Sequence, residues 1–323
     1  MTAASAPRFE GLVVGAYAAS PAHRQWDPSA ESAFFEALAA TPGIGALELP
    51  WLGSIHPHDD GWLHRSLPAT LRAVVTDIPY TMGRIGAAPA YGLASHDEDG
   101  RRAAIADVRL LLDDVRAFDD AQSRSVVGVV ELHSAPRGAR GGVDPLVRSL
   151  TEIAGWEWGS VDLVLEHCDA WRDGQAPEKG FLDLSVELDA IERSGTPIGI
   201  SLNWGRSAIE GHSADTPVAH AREAAERGLL RGFIASGAAA TETAFGPAWI
   251  DAHLPFAPSP TIAHGTPGSL MTETAVADVV RAAGRLDWAG VKVGCAQDAA
   301  SVADRVVLVA EAVGVLNGIL DGP

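Results

Sequence analysis

Apolar positions along this chain fall into two alternating rhythms. Short runs rich in β-branched residues, such as residues 126–132 (VVGVVEL) and 161–166 (VDLVLE), have the length and composition of strands buried on both faces. Between them lie longer stretches whose apolar residues recur three and four apart, the spacing of amphipathic helices. The predicted strands are 12–16, 44–49, 73–78, 126–132, 161–166, 197–202, 230–236 and a segment containing 291–293. The predicted helices are 29–40 (capped by Ser29 or Ser32), a short one at 67–72, then 97–120, 143–153, 180–193, 216–227, 272–286 and 300–320. Residues 81–96 read as loop, and the long stretches 50–66 and 237–269 read as loops over the mouth.

A strand followed by a helix, repeated without a linker or composition break, implies parallel strands joined by right-handed crossovers. Eight such units close into a (β/α)8 TIM barrel, here a single domain over residues 1–323 with the first eight or so residues a tail. A doubly wound open sheet is the alternative. No G-x-G-x-x-G opens a helix after the first strand and no P-loop is present, so nothing supports dinucleotide binding.

Composition narrows the function more than the fold. The formal net charge of −18 opposes binding to nucleic acid or an anionic membrane. The apolar run near the start is too short and glycine-rich for a membrane span or a signal peptide. Two cysteines, Cys168 and Cys295, form no motif or disulfide framework, which points to a reducing cytoplasm. A small-molecule ligand and a homo-oligomer are compatible with all of this.

Candidate chemistry gathers where strands end, as it does in parallel α/β folds. The fifth strand runs into Glu166, His167, Cys168 and Asp169, and unpaired charge of that kind is too costly to be core. Period two places Glu166 and His167 on opposite faces, with Glu166 favoured for the pocket. The fourth strand ends in Glu131 and His133, two apart and thus on one side. Lys292 stands at the eighth strand and is expected to form a salt bridge with Glu131 or Glu166, with Arg206 at the rim. Glu131, His133, Glu166 and Lys292 are the candidate catalytic groups. Glu48, Asp77, His167, Asn203, Trp204, Arg206 and His264 are candidates for substrate binding. His56 and His58 form an H-x-H that reads as exposed loop, and His212 and His253 are loop residues over the mouth. Trp51, Trp171 and Trp204 lie just past strand ends, where aromatic rings can stack on a sugar face.

With these residues in place, the chain resembles the xylose-isomerase-like barrels, the sugar isomerase, epimerase and endonuclease IV superfamily. More narrowly it resembles an actinobacterial group with a domain of unknown function (DUF4862-like). The resemblance implies a divalent metal (Mn, Mg, Zn or Co) held by Glu at strand five, Asp at strand six, His or Gln at strand seven and Glu at strand eight. Glu166 matches the first position. The others carry Asn203 with Arg206 three residues on, Ser236 and Lys292, so three of the four usual ligand positions are substituted. The implied function is an isomerase, epimerase or lyase acting on a sugar or polyol with a degenerate metal site. The alternative is a non-catalytic barrel that binds a sugar or a partner.

Overall fold

A computed structural model describes residues 8–322. In chain order the elements are β1 (Leu12–Gly15), α1 (Ala16–Ala19), α2 (Pro28–Ala40), β2 (Ile44–Pro50), α3 (Asp60–Ser66), β3 (Arg72–Thr76), α4 (Ile78–Ala87), α5 (Glu98–Gln122), β4 (Val127–Leu132), α6 (Val143–Ala154), β5 (Asp162–His167), α7 (Leu184–Ser194), β6 (Gly199–Asn203), α8 (Trp204–Gly211), α9 (Thr216–Glu226), β7 (Leu230–Ala235), α10 (Glu273–Ala283), β8 (Trp288–Val291) and α11 (Val302–Leu320). All eight strands pair in sequence order and parallel, and β8 returns to β1, so the sheet is a closed (β/α)8 barrel in one domain. Apart from Arg8, the expected tail lies outside the described residues. Arg8 itself pairs with Asp162 at 3.2 Å.

Two apolar assemblies hold the barrel. The larger lies between the strands' outer faces and the helices. The smaller fills the barrel's lower interior with Val13, Ala46, Val74, Val129, Val164, Ile234 and Trp288, and Phe9 joins it. Because side chains alternate along a strand, the inward positions two residues further on are Gly15, Glu48, Thr76, Glu131 and Glu166. A polar layer therefore stands directly on an apolar one, at the C-terminal ends of the strands. No helix among the described residues is long and apolar enough to cross a membrane.

Several local expectations are corrected. Residues 81–96 are not all loop, because α4 begins with Pro79 in its first turn and packs Ile78, Thr81 and Ile85 inward. The short helix expected at 67–72 is instead α3, which Asp59 starts by accepting the Trp62 N–H; Leu67 ends it, and Arg72 already belongs to β3. Asp27, not Ser29 or Ser32, caps α2, accepting the N–H groups of Ser29 and Ala30 ahead of Pro28. The eighth strand lies earlier than 291–293, leaving Lys292 just beyond it, its N–H bonded to the Ala235 carbonyl. An element not expected between strand six and the helix at 216–227 is α8.

Barrel closure rests on Val13 opposite Gly290 and Val14 opposite Val291. A Cβ at Gly290 would stand 2.3 Å from the Val13 carbonyl oxygen. Gly290→Ala is therefore expected to cost roughly 1–3 kcal/mol, read as a lower urea midpoint. An unchanged midpoint would contradict this closure.

Candidate active site

Glu48, Glu131 and Glu166 come from β2, β4 and β5, and a carboxylate oxygen from each lies within 4.8 Å of the others. All three are buried, as are the two cations that face them, Lys292 and Arg206. Burying charge is tolerable only when it is paired and hydrogen-bonded. The Lys292 ammonium is 2.5 Å from Glu48 Oε1. The Arg206 guanidinium is 2.5 Å from Glu166 Oε1 and continues to Asp251 at 3.2 Å. Thr76 donates to Glu166 at 2.9 Å, and Ser201 donates to Glu131 at 2.8 Å.

The expected partner of Lys292 is thus corrected: Glu48 takes it, not Glu131 or Glu166. The cause is strand order. Only β1 separates β8 from β2, and β1 contributes Gly15 at the crossing point. A Cβ there would lie 2.5 Å from Lys292 Cγ, so the glycine lets the lysine stem pass over β1. Arg206 is also corrected, from the rim to the interior. Asn203 Oδ1 accepts the N–H groups of Gly205 and Arg206, starting α8 and directing the Arg206 backbone back over the mouth.

This arrangement drives the carboxyls apart. Burial pushes Glu131 well above the usual carboxylate range, and the negative charges of Glu166 and Glu48 push it further. Burial acts on Glu166 in the same direction, but Arg206, Lys292 and the Thr76 hydroxyl overcome it and hold Glu166 below its ordinary value. Burial would discharge Lys292, yet the charges of Glu48 and Glu166 keep it firmly protonated. The Lys292 ammonium also stands 4.7 Å from the centre of the Tyr17 ring.

Around this centre stand groups of a more mixed kind. His133 faces Asp77 at 3.9 Å, and burial lowers its pKa to about 3. Burial raises the Asp77 carboxyl well above its usual range. Buried atoms without a hydrogen-bond partner include Glu48 Oε2, Asp77 Oδ1, Glu131 Oε2, His133 Nε2 and Asn203 Nδ2. A cavity of about 510 Å³ reaches Tyr17 and His253 from outside, lined also by His23, Arg24 and Cys295. A separate cavity of about 410 Å³, with Trp156, Trp158, Asp162 and Trp288 in its wall, opens at the strands' N-terminal ends, away from the carboxylates.

Other sequence candidates are placed elsewhere. His167 points out through the barrel wall, bonded to Glu187 at 2.7 Å and Glu210 at 3.1 Å. Burial would lower its pKa, but those two carboxylates hold it up at about 10. The strand-end run was not expected to be core, yet Glu166, His167, Cys168 and Asp169 are all buried. Their pairing makes this possible: Asp169, for instance, accepts the N–H groups of Glu178, Lys179 and Gly180. Trp204 is fully buried and Trp51 bonds Asp114, while Trp171 is exposed. His264 pairs with Glu311 on α11, apart from the cluster. His56 is buried rather than exposed, its ring accepting the N–H groups of His58 and Asp59, and His58 Nε2 bonds the His23 carbonyl. His212 stacks on Trp249.

Sequence reasoning missed Thr76, Ser201, Tyr17 and the role of Asp251. Thr76 and Ser201 sit beside Glu131 and Glu166 in register, a signal that strand pairing would have provided. Asp251 also holds Lys179 at 2.9 Å, from an irregular loop with no period to betray it.

Residues 13–308 match the family model described as "Domain of unknown function (DUF4862)". The chain belongs to this family. It is 36% identical over 313 residues to the uncharacterized protein STM3670 of Salmonella typhimurium strain LT2, covering 95% of this chain and 97% of that one. Among solved structures, L-ribulose 3-epimerase superposes with a TM-score of 0.59 at 16% identity, covering 97% of this chain and 94% of that one. A xylose isomerase domain containing protein of Salmonella typhimurium LT2 gives a TM-score of 0.62 at 12% identity, with 97% and 99% covered. The DUF4862 chain thus has the fold of the xylose-isomerase-like barrels.

Lys292→Met leaves Glu48 buried without its cation and is expected to cost about 3–5 kcal/mol. Adding Glu48→Gln should restore most of that loss in chemical denaturation, whereas adding Glu166→Gln should not. Equal rescue by both would contradict the pairing described.

Proposed function

We propose that this DUF4862 protein is a sugar isomerase or epimerase that moves a proton beside a carbonyl without a divalent ion in the barrel. The observation that carries this reading is geometric: three buried glutamates clustered within 4.8 Å, between two fixed cations, at the C-terminal ends of the strands. The unpaired donors and acceptors around them suit a polyhydroxylated ligand, which offers both in turn. The epimerase fold neighbour is consistent with that ligand class.

A divalent ion does not fit this donor set as it stands. Glu48 and Glu166 each give an oxygen to a cation already present, and an ion among the three carboxylates would lie against an ammonium and a guanidinium. Lys292 and Arg206 take its electrostatic place. In the proposed step, ionised Glu166 removes the proton from the carbon next to the carbonyl. The C–H electron pair forms the C=C bond, and the carbonyl π pair moves onto oxygen. Lys292 and Arg206 stabilise the resulting enediolate. Protonated Glu131 delivers its proton to carbon, on the opposite face for epimerisation; for isomerisation it protonates the former carbonyl carbon, and the adjacent hydroxyl proton passes to the former carbonyl oxygen as the new C=O bond forms. Between turnovers Glu166 gives up its proton to water and Glu131 takes one back, so solvent hydrogen enters the product. Opposite protonation of two neighbouring carboxyls is what such an acid–base pair requires.

The test is proton NMR of ketoses and aldoses incubated with the enzyme in D2O. Deuterium should enter at the carbon beside the carbonyl. Glu166→Gln and Glu131→Gln should each slow exchange by about 10²–10⁴-fold, and Lys292→Met by about 10²–10³-fold. Activity should fall at low pH as Glu166 gains a proton, and at high pH as Glu131 loses one. Saturable sugar binding without exchange would favour the non-catalytic barrel.

A further inference from the structure

On the outer side of β5 lies a second buried ionisable cluster that the chemistry above does not use. We propose that it binds one transition-metal ion of the zinc type, held by His167 Nε2, His220 Nε2 and the Glu210 carboxylate. The three ligands come from β5, α9 and α8, and their donor atoms lie within 4.8 Å of one another. His167 Nε2 is 3.1 Å from Glu210 Oε2, and His220 Nε2 is 3.7 Å from Glu210 Oε1. Two ligands bound at about 2.0–2.1 Å to a tetrahedral ion stand roughly 3.3 Å apart. The two observed spacings, one to each oxygen of the Glu210 carboxylate, lie on either side of that value.

The backs of both imidazoles are fixed as metal-binding histidines require. His167 Nδ1 is 2.7 Å from Glu187 Oε2, and Glu187 is itself held by the Ser134 hydroxyl. His220 Nδ1 is 3.0 Å from Ser207 Oγ. A further observation concerns His220, which is 9% exposed. If its proton is on Nδ1, a bare Nε2 lone pair faces a carboxylate oxygen. If the proton is on Nε2, the Glu210 oxygen at 3.7 Å is beyond hydrogen-bond reach. A cation between the two atoms satisfies both. In the ion-free protein the proton shared by His167 and its two glutamates supplies part of that charge, and metal uptake releases it.

Arg172 covers the site. Its guanidinium contacts Glu210 and Asp183, and its side chain is 41% exposed. It competes with the ion for Glu210 and can swing outward on Asp183 alone. Three protein ligands leave the fourth position to solvent on that side. The ion would clamp the end of β5 to α8 and α9, one residue from Glu166, whether or not the barrel mouth turns over a sugar.

The test uses full-length protein stripped with a chelator and titrated with Co²⁺, then Zn²⁺. About one equivalent of Co²⁺ should give intense tetrahedral visible bands that Zn²⁺ abolishes. His220→Ala should weaken binding on the order of 100-fold or more. Arg172→Gln should tighten it severalfold, and Glu131→Gln should leave it unchanged. If circular dichroism shows His220→Ala to be unfolded, His220→Gln carries the same expectation. No saturable binding in the wild type would overturn the proposal. So would equal affinity after loss of His220, or loss of binding in Glu131→Gln alone, which would place the ion in the barrel.

Discussion

The structure depends on one constraint: charge taken into the dry centre of the barrel must be answered there. Three glutamates on an apolar floor of valines and alanine cannot all ionise without cations beside them. Lys292 and Arg206 supply those cations from the ends of β8 and β6, and the shortfall falls chiefly on Glu131, which accepts from the neutral Ser201 hydroxyl. The asymmetry between Glu131 and Glu166 follows from which carboxyl the guanidinium reaches. Buried pairs of this kind add little net stability over apolar packing, but removing one partner is costly. The cluster is therefore poorly explained as a stabilising device, and the function proposed above gives it a use.

The backbone is arranged to allow these contacts. Gly15 opens the path that Lys292 takes across β1, and the Asn203 cap turns the chain at the end of β6 so that Arg206 returns inward. Alternation at the end of β5 sends Glu166 into the barrel and His167 out of it, so adjacent residues serve two separate polar centres. Thus the wall between the two centres is a single strand.

Much of the architecture was legible because it depends on periodicity. Repeated strand and helix rhythms specify a parallel closed barrel, and glutamates at the ends of strands two, four and five stand out against apolar runs. Pairing was not legible in the same way. Lys292 could be placed at the mouth but not matched with Glu48, because that match depends on barrel closure and on a glycine one strand away. Asp251 and His253 reach the centre through an irregular loop, where no repeat ties position to direction. α4 and α8 were obscured by proline and glycine, which mark helix starts as readily as turns.

The central claim is that Glu131 keeps its proton while Glu166 is ionised. NMR titration of protein carrying ¹³C-labelled glutamate side-chain carboxyls, assigned with Glu131→Gln and Glu166→Gln, measures this directly. The account predicts a Glu131 carboxyl that remains protonated through neutral pH and a Glu166 carboxylate that is already ionised below the usual glutamate range. A Glu131 resonance titrating with ordinary surface glutamates would contradict it.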